Sequence, residues 1–569
     1  MLYLPATNRR YLPLPAMLLC LWAGAAQAEP VTAGQEALRQ QQQQQHDLEQ
    51  LQLEQRRRQL QRGAFSAPDT PAQAPQAATP DVRCWPLAGI RVGGVTLIDR
   101  ATVDARLQPL IAPCMGVGQI NQVLASLTAL YTAKGYIASR PYLTHAPQAG
   151  QSLDILVDEG YLEAIELADQ TLPISLAGAF PGLLGQPLNL RDLEQGLDQL
   201  NRLRSVDLVA DIAPGTQPGA SRIILRPRSA GQPRLAVGLG MDNLGSAGTG
   251  RDRQVLSLSL DNPLALNDLL SLGASDTLNQ GDRYSRNASL YYAIPHGYWT
   301  YSLFASHAEY RAPVKFRTLT LYSSGSTDQL SLRGERVLWR DQRHQLSASL
   351  QLAHKAVDSE FGKVRLDVQS PTLTVAEAGL NLFWLDSAVW NLDLNYAQGL
   401  RWLGADNDSQ RVVDDLPRAQ FHKYRLGLGQ WRNGQLAGQP WQWQSQLNLQ
   451  YSPDPLPAIE QVLGTDDSAV RGYRVSSVSG ASGAIWRNTL RLPLRPQGPF
   501  TVTPRLGLDH GWIKPDHGAP SQRLSGASLG LNLGFKALQV DIDYQRSLST
   551  PGGYPREPEV WLLRAGLQI

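Results

Sequence analysis

The chain has 569 residues, a formal charge of +2 and a mean hydropathy of −0.27. It is too long for one ordinary soluble core, has no basic excess calling for a nucleic-acid partner, and is far less apolar than a helical membrane protein. A large β-barrel suits these values, because only every second residue of its strands faces lipid. Gly is frequent (50 residues), whereas Met (4) and Cys (3) are scarce.

Residues 1–28 read as a secretory signal: Arg9 and Arg10, an apolar run from Met17 to Ala26, and an A-x-A site at Ala26-Gln27-Ala28. The apolar run is too short to span a bilayer, and bulky Leu19 before Cys20 argues against a lipoprotein. Residues 29–62 then form a polar segment, with Gln40 to Gln45 and Arg56-Arg57-Arg58 inside a stretch free of Gly and Pro from Gln35 to Arg62. Gln, Leu, Glu and Arg favour helix. A helix polar nearly all round needs water or a polar cavity about it; a disordered or loosely coiled-coil tail is the other reading. Residues 63–82, with Pro68, Pro71, Pro75 and Pro80, form an extended Ala/Pro/Gln linker.

Cleavage after Ala28 leaves two cysteines, Cys84 and Cys114. In an oxidising compartment they are expected to form a disulfide, and closing a loop of about 30 residues contributes roughly 3 kcal/mol on the chain-entropy model. Metal ligation is the weaker alternative, since no His or second Cys stands at ligand spacing.

Residues 83–160 and 161–230 read as two similar α/β units. The first has strand character at Ile90-Arg91-Val92 and Val95-Thr96-Leu97, a helix over Gln119 to Lys134 and strands at Tyr142-Leu143 and Leu153 to Val157. The second has a strand near Ala164 to Leu167, a helix from Leu190 to Leu203 and a strand at Arg222 to Leu225. The repeated plan predicts tandem domains.

Residues 231–569 alternate with period two, as in Leu256 to Leu260, Trp390 to Tyr396, Trp441 to Tyr451, Leu529 to Phe535 and Leu538 to Tyr544. One face is apolar and often ends in aromatics, as at a membrane interface; the other carries amides and carboxylates. At roughly 20 residues per strand and turn, this length predicts a membrane β-barrel of about 16 antiparallel strands. Trp561, Leu563, Ala565, Leu567 and Ile569 form a closing strand that removes the free edge. Ile569 stands where such barrels usually end in Phe.

Taken together, the signal, polar helix, linker, two α/β units and barrel resemble the outer-membrane transporters of two-partner secretion (the TpsB group), within the outer-membrane insertase and translocase superfamily. Local matches are Tyr131 to Ile137, Val157-Asp158-Glu159-Gly160, Asn189 to Gln195 and Asp261-Asn262-Pro263-Leu264. The most specific are Val470-Arg471-Gly472-Tyr473 and the Gly-x-Asp-x-Gly string Gly507-Leu508-Asp509-His510-Gly511. The resemblance implies that the α/β units are periplasmic POTRA domains and that the first helix plugs the barrel. It also implies a lumen loop held to the wall by Arg471 and Asp509, since a shielded guanidinium needs a carboxylate and Gly507 and Gly511 leave room for the loop.

The function so implied is secretion of a large, extended, β-helical exoprotein of the TpsA type, encoded nearby. The POTRA surfaces would recognise it unfolded in the periplasm, without ATP. The alternative is an insertase of the same superfamily. Neither a Walker segment, a hydrolase elbow nor a metal cluster is evident, so no enzyme activity, metal or cofactor is expected. His296, His307 and His354 read as lumen or loop residues. Outer-membrane lipid and lipopolysaccharide, the barrel assembly machinery during biogenesis and a monomeric state complete the expectation.

Overall fold

The computed structural model describes residues 38–44, 48, 50, 52–53, 56 and 84–569, except 230, 279–280, 318, 411–415, 495–498 and 516–519. The signal (1–28), the linker (63–82) and much of the 29–62 segment lie outside the described residues.

In the first α/β domain, strand Ser152–Asp158 lies between Gly89–Gly93 and Arg140–Leu143. Helix Val117–Ala133 packs Ile120, Val123, Leu127 and Tyr131 against this sheet, all buried, at the three-and-four spacing that the sequence shows. The chain leaves the helix through Gly135 at φ +95°, a left-handed exit that Gly adopts without strain. A second helix, Arg100–Leu107, was not expected; it buries just Val103 and Leu107, too few for a visible stripe. The sulfurs of Cys84 and Cys114 are bonded, with Cα atoms 5.4 Å apart.

Val95 to Leu97, expected as strand, is instead a loop. Glu159 takes its backbone amides, accepting from Thr96 N at 2.8 Å and Leu97 N at 3.0 Å, and also accepts from Tyr131 Oη at 2.6 Å. Burial alone would raise the Glu159 carboxyl, but the bonds from Thr96, Tyr131 and the two amides outweigh it and hold the group below the usual carboxylate range. With its folded value below the unfolded one, Glu159 contributes stability above the unfolded value of about pH 4.3, lost as pH falls through the folded value. The protection factors of the Thr96 and Leu97 amides in the whole protein, taken against the intrinsic exchange rate at each pH, should therefore fall on acidification, and Glu159→Gln should remove that dependence. An unchanged pH profile in the variant would contradict the assignment.

The second domain has the sheet order Tyr161–Leu167, Ala220–Pro227, Leu208–Pro214. Asn189 caps helix Leu190–Asn201, accepting from Arg191 N at 2.9 Å. Leu193, Leu197 and Leu200 face the domain core. Glu194, Gln195, Asp198 and Gln199 are buried too, but against the barrel.

That barrel is closed and has 16 strands. They are β1 (Leu235–Asp242), β2 (Arg253–Asp261), β3 (Leu269–Thr277), β4 (Tyr284–His296), β5 (Trp299–Lys315), β6 (Thr320–Arg340), β7 (His344–Phe361) and β8 (Thr372–Leu385), followed by the second half. The second half comprises β9 (Val389–Leu400), β10 (His422–Leu436), β11 (Gln439–Tyr451), β12 (Ser482–Arg491), β13 (Phe500–Lys514), β14 (Gln522–Phe535), β15 (Leu538–Ser547) and β16 (Val560–Gln568). Neighbours pair antiparallel, and β16 closes on β1 from Arg564↔Asp242 to Gln568↔Gly238. Ile569 extends this seam by exchanging two backbone bonds of 2.9 Å with Val237, a pairing that needs no particular side chain.

Period-two alternation places apolar residues outside and polar ones in the lumen. At the end bearing the α/β domains (the near end), Trp299 stacks on Tyr301 and Trp384 on Trp390, with centroids 5.8 and 5.5 Å apart. Towards the far end, Tyr396, Tyr424 and Tyr451 form a row with centroids 5.2 and 6.3 Å apart. His307 and His354 sit on the outer face and not in the lumen: His307 bonds exposed Asp328 at 2.7 Å, and His354 lies across from outward Leu330. Their strands run on past the apolar belt, so alternation sets these side chains outside.

Candidate functional site: the occupied lumen

The loop from 452 to 481, between β11 and β12, folds back into the lumen and carries Val470 to Tyr473 at its tip. Val470, Arg471 and Tyr473 are buried against the wall, and Asp509 on β13 is fully buried. Arg471 meets Asp509 through two prongs, Nη2 to Oδ1 at 2.5 Å and Nε to Oδ2 at 2.6 Å, while its backbone N–H donates to Oδ2 at 3.1 Å. Its other donors reach Ser528 Oγ (3.0 Å) and the Asn488 carbonyl (2.8 Å). A charge withdrawn from water needs this saturation of its donors. The structure thus brings Arg471 and Asp509 together in the forked geometry that the motif pair called for.

The glycines have steric reasons. A Cβ on Gly507 would lie 2.1 Å from Arg471 Nη1, and one on Gly511 2.7 Å from Val470 Cγ2. Gly472 has φ +90°, and a Cβ there would lie 2.4 Å from the Arg546 carbonyl carbon. Its N–H donates to Gln545 Oε1 at 3.0 Å, and Tyr473 Oη donates to the Ser549 carbonyl at 2.8 Å.

Sequence reasoning missed several partners. Gly526 on β14 faces the Arg471 carbonyl oxygen, which a Cβ would approach to 1.9 Å. Glu557 accepts from the amides of Arg474, Val475 and Ser476 at 2.6 to 2.9 Å. Asp467 pairs with Arg564 and accepts from Gln545 Nε2 at 2.8 Å. A second attachment lies at the base of the loop, where buried Glu460 bonds Lys355 on β7 at 2.5 Å and also Lys423 on β10. Beside it, Leu456 and Ile459 pack on Val357, Leu373, Val375, Ala397 and Phe421. Among these, Gly526 and Ser528 share the same-face spacing of Gly507 and Asp509, a hint visible in the chain; Glu460 and its lysines carry no such mark.

The polar N-terminal helix is in the lumen as well. Gln40 Nε2 donates to Ser285 Oγ at 2.7 Å, Arg253 Nη1 to Gln43 Oε1 at 2.7 Å, and Arg56 Nη2 to both oxygens of Glu335 at 2.9 Å. Gln42 Nε2 also reaches the Gln461 carbonyl of the loop at 3.3 Å. At the near mouth, Gln195 and Gln199 of the second domain donate to the Gly297 carbonyl at 3.1 and 3.0 Å. Arg340 at the end of β6 binds Asp198 at 2.7 Å and Gln195 at 3.0 Å, fixing the domain to the barrel rim.

A closed barrel with an apolar outer belt, α/β domains at one mouth, and a helix and a loop inside its lumen defines an outer-membrane transport protein. Residues 219–533 match the model of the haemolysin secretion/activation protein family ShlB/FhaC/HecB, residues 85–160 a ShlB-type POTRA domain and residues 161–214 a POTRA domain. The chain is 39% identical over 499 residues to the hemolysin transporter protein ShlB of Serratia marcescens, covering 87% of each chain. It is 34% identical over 503 residues to the hemolysin transporter protein HpmB of Proteus mirabilis, covering 88% of each. The solved structure of CdiB from Escherichia coli superposes with a TM-score of 0.86 at 28% identity, over 95% of this chain and 100% of that one.

This chain belongs to the haemolysin secretion/activation protein family ShlB/FhaC/HecB, the two-partner secretion transporters. The family is one of secretion channels and not of enzymes. The protein lies in the outer membrane, with its near end and POTRA domains in the periplasm and its far end at the cell surface.

Proposed function

We propose that this protein secretes one large, β-rich exoprotein of the TpsA type; its relatives are named as hemolysin transporter proteins and as the outer membrane transporter CdiB. The observation that carries the reading is the doubly occupied lumen, where a loop is pinned to the wall and a polar helix shares the remaining space. An insertase that works at the lipid seam has no need of a plugged central path.

In this reading the Arg471–Asp509 contact is a positioning lock for the loop, and the helix is the resting plug. Among the described residues its hydrogen bonds to the wall come from Gln40, Gln43 and Arg56. Its buried apolar side chains are confined to leucines such as Leu38 and Leu48, so little apolar surface is exposed when it leaves into water. The edge strands of the POTRA sheets offer unpaired backbone to an unfolded chain, which binds by strand addition in weak, divisible steps. Folding of the partner outside supplies the direction, with no nucleotide consumed.

Deleting residues 35–62 should raise single-channel conductance severalfold in a planar bilayer; unchanged conductance would remove the plug from the mechanism. Co-expression with the large secreted protein encoded beside the gene tests the whole reading. Its failure to reach the medium when this chain is present and assembled would overturn it.

A further inference from the structure

β11 carries an uninterrupted ladder of amides on its inner face: Gln442, Gln444, Gln446, Asn448 and Gln450. Its outer face is Trp441, Trp443, Leu447, Leu449 and Tyr451, with Ser445 receiving a bond from outward Trp486. Gln450 is engaged by the loop base, donating to the Glu460 carbonyl at 3.0 Å, and Gln444 accepts from Arg491 at 2.9 Å. Among the described residues, the side-chain amides of Gln442, Gln446 and Asn448 make no hydrogen bond within the protein. Directly across on β10, Gly427 faces Asn448 and Gly429 faces Gln446; bare backbone flanks Asn448, whereas the Trp431 indole lies over Gly429 beside Gln446. A lumen cavity of about 270 Å³, bounded by Gln52, Leu53 and Arg56 of the helix, opens onto Asn448.

Other parts of the wall are engaged. β12 to β16 hold the loop tip and the paired charges Arg505, Asp541 and Asp543. β2, β4 and β6 hold the helix through Arg253, Ser285 and Glu335.

On this basis we infer that the inner face of β11 is the rail along which an extended polypeptide crosses the barrel, an inference that rests on the secretion reading above. Side chains on one face of a strand repeat every two residues, about 6.8 Å. The N–H and C=O groups that an extended chain turns to one side repeat at the same distance. A side-chain amide has both donors and an acceptor, so it can bond either group whatever the passing sequence. A shift of two residues restores the same set of bonds, which gives a shallow, periodic interaction instead of a trap. A charged ladder would instead hold back segments of opposite charge. The partner's chemistry is thus an extended backbone with small or polar side chains, able to pass Gly427 and the Trp431 ring beside it.

The test uses the full chain in a planar bilayer and an unstructured, uncharged peptide of Gly, Ser, Thr and Asn, long enough to span the membrane, added on the POTRA side. Blockades of the open current are timed. Gln446→Leu with Asn448→Leu should shorten blockades about fivefold per amide removed, roughly 25-fold together. Asn532→Leu with Gln539→Leu, inward on β14 and β15, should leave them unchanged. Gln446→Asn with Asn448→Gln should keep the wild-type dwell time, which separates lost amides from a disturbed barrel; heat-modifiable migration checks assembly in each case. Equal shortening by both leucine pairs, or by neither, overturns the rail. Absence of any blockade in the wild-type chain overturns the polypeptide-pore reading itself.

Discussion

Arg471→Ala should cut export of the partner by at least an order of magnitude while the barrel still assembles. The variant strips Asp509 of its forked partner and leaves a carboxylate with no exposure to water. Removing one member of a buried pair costs about 3–5 kcal/mol when the survivor is left uncompensated; Arg487, 3.8 Å from Asp509 Oδ2, offsets part of that cost here. The tip is then held by Val470, Tyr473, the Glu557 bonds to the amides of 474–476, the Gly472–Gln545 bond and the Asp467–Arg564 pair, so it should open more often to protease. Arg471→Lys should rescue poorly. Lysine offers one point charge where Arg471 spreads its donors over Asp509, Ser528 and the Asn488 carbonyl. Arg471→Ala combined with Asp509→Asn should recover part of the protease resistance, since the stranded charge is gone. Normal secretion by the single variant, with the loop protected, would sink the lock.

Glu460→Ala should have a comparable effect at the other end of the loop. It leaves Lys355 and Lys423 facing one another, 5% and 7% exposed, with no anion between them. Like charges brought together in a shielded site repel as well as lack solvation. The loop base from Pro455 to Gln461 should lift from the apolar patch of Phe421 and Val375, and the far end of the pore should conduct more. Limited proteolysis and bilayer recordings read the two consequences separately. A triple replacement, Lys355→Met, Lys423→Met and Glu460→Leu, should close the base again, because well-packed apolar groups can replace a buried ion cluster without loss. If Glu460→Ala keeps a protected loop and wild-type conductance, the second attachment has no role.

Much of this architecture is legible along the chain. Alternation in Trp390 to Tyr396 and Trp441 to Tyr451 specifies both strand and face, since strand side chains have a period of two and a membrane outside admits just one polarity. Val103 and Leu107 show where legibility fails: a helix burying two residues leaves no periodic trace. Val95 to Leu97 show another failure, where a β-like triplet becomes a loop because a distant carboxylate, Glu159, captures its amides. His307 and His354 were placed on the wrong side of the wall, because lipid and lumen faces differ by a single residue of register and a polar outward residue above the apolar belt looks like a lumen one.

The site divides the same way. Arg471, Gly472, Gly507, Asp509 and Gly511 stand in short strings whose residue types already require close backbone approach and a buried ion pair. Gly526, Glu557, Glu460, Lys355 and Lys423 lie tens to hundreds of residues from their partners, and nothing local distinguishes them from other lumen groups. By itself, then, the sequence determined the strands, most of their faces, the domain order, both members of the Arg471–Asp509 contact and one member of the other contacts at the loop tip. Barrel closure and the inward fold of the loop decided the rest. Partners chosen across a lumen depend on the register of every strand between them, a quantity that no local pattern encodes.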